Sequence, residues 1–174
     1  MAPTTLAHPP ETTYQKMLPW VLITELYWLT YKLLERRLYS LGVSVSQSRV
    51  MTVLYYSTEP VKPSTIATLL FQETQSITGI LHRIETRGWV RRLPDPNDRR
   101  AIGLELTDAG RDLTDKVIDM SEVLYDEVFG VLTAAERRSI ENALRKLRSH
   151  GFRLPEIDWK LRRAQQHPMW SASS

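Results

Sequence analysis

At 174 residues, with 42% hydrophobic and 25% charged residues, the chain has the size and composition of one ordinary globular unit. The absence of cysteine excludes disulfides, thiolate metal sites, thiol nucleophiles and thiol redox sensing, and a formal charge of +3 permits a nucleic-acid partner without demanding one. No apolar run approaches the ~18 residues of a membrane span, and the first ten residues lack the basic head and apolar stretch of a signal peptide, so a cytoplasmic protein without membrane contact is expected.

Residues 1–13, rich in Pro and Thr, read as a flexible arm. A long helix is expected over 15–41, with Pro19 near its start. Trp20, Ile23, Tyr27, Tyr31, Leu34, Leu38 and Leu41 form one stripe on it, and Leu22, Leu26, Leu29 and Leu33 a second beside it. A helix this apolar has to be buried on two sides, while a small unit offers a terminal helix only one; the other side implies a partner subunit. Gly42 ends the helix, and Ser44 or Ser46 can cap the next, which carries Val50, Met51, Val53 and Leu54. A linker, 59–63, leads into the part of the chain that organises the rest.

That part is a helix, a turn, a second helix and a hairpin. The first helix, 64–70, starts just after Pro63, which suits a first helical position because its missing N–H would have had no partner there. Gln72 and Glu73 are expected to make the turn and Thr74 to cap the second helix, where Ile77, Ile80, Leu81 and Ile84 recur at helical spacing and Gly88 terminates. Strands are expected over 89–93 and from Ile102 to Thr107, joined by a turn over 94–98. This is the order of a winged helix-turn-helix, giving a mainly α fold class with a small β-hairpin wing. Such a unit places its second helix in the DNA major groove. The candidate reading residues are therefore Thr74, Gln75, Ser76, Thr78, Gly79, His82 and Arg83. Gln75 can read adenine bidentately, and Thr78 can touch a base edge or a thymine methyl. Lys62, Ser64 and Thr65, at the start of the first helix, are candidates for phosphate contacts. Arg83, Arg87, Arg91, Arg92, Arg99 and Arg100 outnumber Glu85, Asp95 and Asp98 over the same stretch, a local surplus of positive charge.

After the wing, Thr107 can cap a helix with Leu113, Val117, Met120, Leu124 and Val128 on one stripe, ending near Gly130. Thr133-Ala-Ala-Glu136 is a capping box for a last helix carrying Ile140, Ala143, Leu144 and Leu147. Residues 151–174 form a C-terminal extension, readable as a surface-packed segment or as a docking arm.

Asp95-Pro-Asn-Asp-Arg-Arg-Ala101, followed by Leu106-Thr-Asp-Ala-Gly-Arg111, resembles the wing and exit signature of the multiple-antibiotic-resistance regulator (MarR) family. Ile66-Ala67, Arg83-Ile-Glu-Thr-Arg-Gly-Trp-Val90 and Leu132-Thr-Ala-Ala-Glu136 extend the resemblance from about residue 14 to 149 in one register. It implies a single domain over 14–150, with dimerisation helices over 14–42 and 108–150 and the winged helix-turn-helix over 44–107. It further implies a homodimer on double-stranded DNA bearing a palindromic operator, usually a repressor that lets go when a small molecule binds. The wing residues Asp98, Arg99 and Arg100 fall in its DNA-binding motif, with the Arg100 guanidinium entering the minor groove and Asp98 orienting it. Gly79 stands where the family often has a basic residue, and Lys62 where a capping Thr or Ser is usual.

Family effectors, often aromatic or phenolic acids, lie between the dimerisation helices and the winged unit. Here Trp20, Tyr27, Trp28, Tyr31, Arg49 and Tyr55 are the candidates, offering ring area and one cation for a small aromatic acid. An aromatic stripe at helical spacing serves a core or a subunit interface more often than a pocket, so both uses stay open. His8, His82, His150 and His167 are scattered without metal-ligand spacing, and there is no phosphate-cradling glycine loop or nucleophile elbow. No metal, cofactor or enzymatic reaction is expected. Two alternatives to a ligand-responsive regulator are a DNA-binding architectural protein without an effector and a winged-helix module that binds protein.

Overall fold

The computed structural model describes residues 11–95 and 98–158, with side chains omitted at 11, 12, 95 and 98–101. In chain order the elements are α1 (Glu11–Tyr39), α2 (Val45–Tyr55), α3 (Pro63–Leu69), α4 (Thr74–Thr86), β1 (Val90–Asp95), β2 (Asp98–Leu106), α5 (Asp108–Phe129) and α6 (Ala134–Gly151). The main core lies inside the winged unit: Val50, Met51, Ile66, Leu69, Ile77, Leu81, Ile84 and Leu104 lose essentially all contact with solvent. Each contributes on the order of 1.5–3 kcal/mol of apolar burial. A smaller cluster of Leu38, Val45 and Val117, flanked by Tyr31, Leu34, Leu41 and Met120, joins α1 and α5 to that core.

The long helices present a different surface. On the N-terminal half of α1, Trp20 is 69% exposed, and Leu22, Ile23, Leu26, Tyr27, Trp28 and Leu29 are also exposed. Ile140, Leu144 and Leu147 of α6 are exposed as well, and no residue of α6 is buried. An open slot of about 370 Å³ between α5 and α6 is lined by Tyr125, Phe129, Ile140 and Leu144 and by Arg137 and Arg148.

Caps set most of the boundaries. Ser44, not Ser46, caps α2: its Oγ accepts from the Gln47 N–H at 3.2 Å, and Gln47 Oε1 accepts from the Ser44 N–H at 2.9 Å. Glutamine three residues on completes a capping box that Ser46 could not form. Pro63 is the first residue of α3, Thr107 caps α5 by accepting from the Gly110 N–H at 3.1 Å, and Thr133 and Glu136 make the expected reciprocal pair at α6. Residues 11–13, expected in the arm, already belong to α1. Residues 1–10 lie outside the described residues.

α1, α3 and α4 end in one geometry. The Val43 N–H reaches back to Leu38 O, Gln72 N–H to Ala67 O and Trp89 N–H to Ile84 O, at 3.2, 2.9 and 3.0 Å. Each closes a Schellman turn around one residue of positive φ. Two of the three are glycines, Gly42 at φ 67° and Gly88 at φ 72°; the third is Phe71 at φ 54°. A side chain in that region costs roughly 1–2 kcal/mol, which glycine escapes. The helix-turn-helix turn is therefore made by Leu70 and Phe71 rather than by Gln72 and Glu73, because α3 closes one residue sooner than its apolar pattern suggests.

The wing is an antiparallel pair in which Val90 faces Leu106, Arg91 faces Glu105, Arg92 faces Leu104 and Pro94 faces Ile102. The strands are displaced from 89–93 and 102–107: β1 starts at Val90 and takes in Pro94 and Asp95, and β2 takes in 98–101 and ends at Leu106, with an irregularity in register between Pro94 and Asp95. A proline that cannot donate to the ladder is tolerated next to such a break. Val61, in the linker, adds a bridge to Leu104, with N–H to O distances of 2.9 and 3.0 Å. Gly103 admits this third segment, since a Cβ there would stand 2.5 Å from the Pro60 Cβ.

Candidate nucleic-acid interface and adjoining cleft

The apolar positions of α4, Ile77, Ile80, Leu81 and Ile84, are all buried. That seats the helix on the core and turns its opposite face outward. Thr74, Gln75, Ser76, Thr78, Gly79, His82 and Arg83 are all exposed on that face. Thr74 does not cap the helix; it is the first helical residue, the N-cap position belongs to Glu73, and no side chain satisfies the cap. The earlier turn at Phe71 shifts the start of α4 so that Thr74 already has helical geometry, and the N-terminal amides stay available to an outside acceptor. Thr78 Oγ1 donates to Thr74 O at 2.9 Å, and Thr86 Oγ1 donates to His82 O at 2.8 Å. A Cβ on Gly79 would meet nothing within 4 Å, so no contact inside the chain requires glycine there.

At the start of α3, Ser64 and Thr65 are exposed and Lys62 is half-buried at the N-cap position without a side-chain cap. The wing-tip candidates Asp98, Arg99 and Arg100 have backbone in β2, but their side chains lie outside the described residues.

The positive charge over 83–100 is smaller than its composition suggests. Glu85, at the end of α4, grips Arg92 of β1 with both oxygens, at 2.5 Å to Nε and 2.9 Å to a terminal nitrogen. This fork raises the Arg92 pKa above its ordinary value, the side-chain hydrogen bond to Glu85 being the main cause. Arg91 binds Glu105 directly across the hairpin, with Nε 2.5 Å from Oε1. Arg87 donates to Gly42 O and lies over the Trp89 ring, 4.9 Å from its centroid. These three cations fasten the unit together, and Arg83 is left with no ion-pair partner among the described residues. Pairing of Arg91 with Glu105 follows from the strand register, which a turn placed at 94–98 misses; Glu105 is the site residue that sequence reasoning did not find, and for Glu85, counted there among the acids, it missed the partner, Arg92.

Thr107 and Gly110 fix the wing to α5. Thr107 N–H donates to Trp89 O at 3.0 Å and its hydroxyl to Gly88 O at 2.7 Å, while a Cβ on Gly110 would stand 1.9 Å from Trp89 O. Only glycine lets the helix start this close to the strand, which explains the Thr-Asp-Ala-Gly run physically.

Behind α4 lies a cleft of about 190 Å³. The structure brings Tyr27, Trp28, Tyr31 and Arg49 together there, against Ser46, Leu70, Gln72 and the α4 residues Ile77 and Ile80. Tyr27 and Trp28 meet edge to face at 5.2 Å, as do Trp28 and Tyr31 at 5.9 Å. Arg49, half-buried, reaches Leu70 O at 3.4 Å, a long and weak contact. Trp20 and Tyr55 are not part of the cleft. The Tyr55 hydroxyl donates to Asp115 Oδ1 at 2.6 Å, which raises the phenol pKa and ties α2 to α5. Among the described residues there is no cluster able to hold a metal ion and no helix long and apolar enough to cross a membrane.

A model described as "MarR family" matches residues 41–101. The HTH-type transcriptional repressor NicR of Pseudomonas putida is 40% identical over 81 residues, covering 47% of this chain and 50% of its own length. The chain spans about half the length of the first curated relatives it matches. A mutant MarR from Escherichia coli complexed with operator DNA superposes with a TM-score of 0.68 at 26% identity, over 77% of this chain and 96% of that one. The organohalide-sensing regulator RdhR in its 2,4-dichlorophenol-bound form shares the fold, with a TM-score of 0.70 at 22% identity, over 86% and 89% of the two chains.

Proposed function

We propose, from this chain's membership of the MarR family, that it is a homodimeric DNA-binding transcription regulator, not an enzyme, and that it represses from a palindromic operator until a small aromatic ligand binds. The observation that carries this reading is α4 itself: its apolar face is locked on the core while seven polar or small positions, from Thr74 to Arg83, face outward together. In the major groove, Gln75, Ser76 and Thr78 would read base edges, the free amides at the helix start would meet a phosphate, and Arg83 would meet another. Ser64, Thr65 and Lys62 would contact phosphates beside it. Arg100 would enter the minor groove, with Asp98 orienting it and Arg99 on the backbone.

Dimerisation follows from the apolar surface that α1 and α6 leave bare, which a second copy would cover. Effector binding is supported by the cleft of Tyr27, Trp28, Tyr31 and Arg49, rings and one cation backed directly onto α4. RdhR, with the same fold, takes a chlorinated phenol. A ligand in this cleft can act only through a difference in affinity between the DNA-bound and released states.

The test is binding of the full chain to a duplex of its own upstream region, titrated with salt against random duplex, for the parent and for Arg100→Ala. Specific binding that falls steeply with salt, and that Arg100→Ala weakens several-fold without loss of helix content, supports the reading. Specific binding that no aromatic acid or phenol relieves favours the architectural alternative, and no binding at low salt to upstream or random duplex favours the protein-interaction module.

A further inference from the structure

Three helices end in the same Schellman turn, and two place glycine at its left-handed position. The third places phenylalanine there, between the two helices of the helix-turn-helix. Strain accepted where glycine would relieve it points to a use for the side chain. The Phe71 ring is half exposed, so burial in the core is not that use. Its described ring contact is with Phe152, 81 residues later, at 6.0 Å between centroids and a 35° tilt.

Phe152 is the first residue beyond α6. Its N–H donates to Arg148 O at 3.1 Å, and the turns after it, Arg153 to His150 O at 2.9 Å and Leu154 to Gly151 O at 3.1 Å, keep the backbone wound at the helix end. The ring is thus carried by α6, not by a loop. On its other side the turn is reached by Arg49, which donates to Leu70 O, and the next residue, Gln72, lines the cleft. The segment that leads into α4 is therefore touched weakly from α2 and packed against from the end of α6.

We propose that Phe152 is a positioning residue for α4: by holding the left-handed Phe71 ring it fixes the turn from which α4 starts, and so links the last helix to the reading head. The link to DNA rests on the proposed function of α4; the link between the two rings does not.

The experiment is amide hydrogen exchange over residues 72–77 in the full-length chain, for Phe152→Ala, Phe71→Gly, the double variant and Phe152→Leu. Phe71→Gly keeps the turn and removes its strain, so it folds. Exchange three- to tenfold faster in either single variant, no faster in the double, and partly restored by Phe152→Leu is the expected result. Unchanged exchange in Phe152→Ala, or single effects that multiply in the double, overturns the proposal. The same four proteins are then titrated against a fluorescein-labelled duplex of the chain's upstream region. Weaker binding in step with faster exchange extends the link to DNA; exchange effects with no binding by any variant or by the parent leave the ring pair standing and count against the function proposed for α4.

Discussion

Gly79 and Gly110 are both glycines in helices, and they answer to opposite demands. Around Gly79 the chain leaves open space, so glycine there costs about 1 kcal/mol of helix propensity with no packing return inside the molecule. The return would come from outside, in close approach of backbone to a groove. Gly79→Ala is expected to raise resistance to urea by about 1 kcal/mol and to weaken binding to upstream DNA several-fold; equal or tighter binding would remove the case for close approach. At Gly110 the demand is internal, because any Cβ collides with the Trp89 carbonyl. Gly110→Ala should destabilise by about 1–3 kcal/mol as α5 backs away from the wing, a loss read from the urea midpoint.

Among the elements, those whose ends are written in local chemistry were legible in the sequence: Pro63 opening α3, Gly88 closing α4, Thr107 opening α5, and the Thr133 and Glu136 pair opening α6. What escaped was set at a distance. Phenylalanine gives no local sign of a left-handed turn, so the apolar pattern sets the turn two residues late and lends Thr74 a cap it does not make. The wing register depends on the break beside Pro94, and with it went the Arg91 to Glu105 pair and the true balance of charge. Val61 joined the hairpin from a stretch that reads as linker.

The capping box of α6 also carries a pH signature. Thr133 donates to Glu136 from its hydroxyl and its amide, and these bonds, the side-chain one first, hold the Glu136 carboxyl below its usual value. A carboxyl lowered by folding stabilises above its unfolded value, near 4.5, and that contribution is lost as pH falls through the folded value. The first turn of α6 should therefore fray in acid below that range, seen as faster amide exchange over 134–137. Thr133→Ala should show the same fast exchange already at neutral pH.

For the whole molecule, the burial pattern divides the chain in two. The winged unit is complete, with a buried apolar interior and with Arg87, Arg91 and Arg92 spent on holding it together. The long helices are unfinished, since α6 buries nothing and the first half of α1 carries its rings and leucines outside. Leu144→Glu places a charge in the slot between α5 and α6 and should shift the chain toward monomer in sedimentation velocity, with the winged core intact by near-ultraviolet circular dichroism. A monomer already in the parent would overturn the proposed dimer.

The seating of Gly110 against Trp89 leaves no hinge between α5 and the wing. With 22 residues, α5 is about 33 Å long, and it acts as a lever welded to the hairpin at one end. The Glu85 to Arg92 fork ties the hairpin in turn to α4. In the proposed dimer, a tilt of roughly 5° at the far end of that lever would move the reading head by about 3 Å, close to the ~3.4 Å step of one base pair. Small rearrangements among the long helices would then shift the spacing of two heads by a whole rung of the duplex.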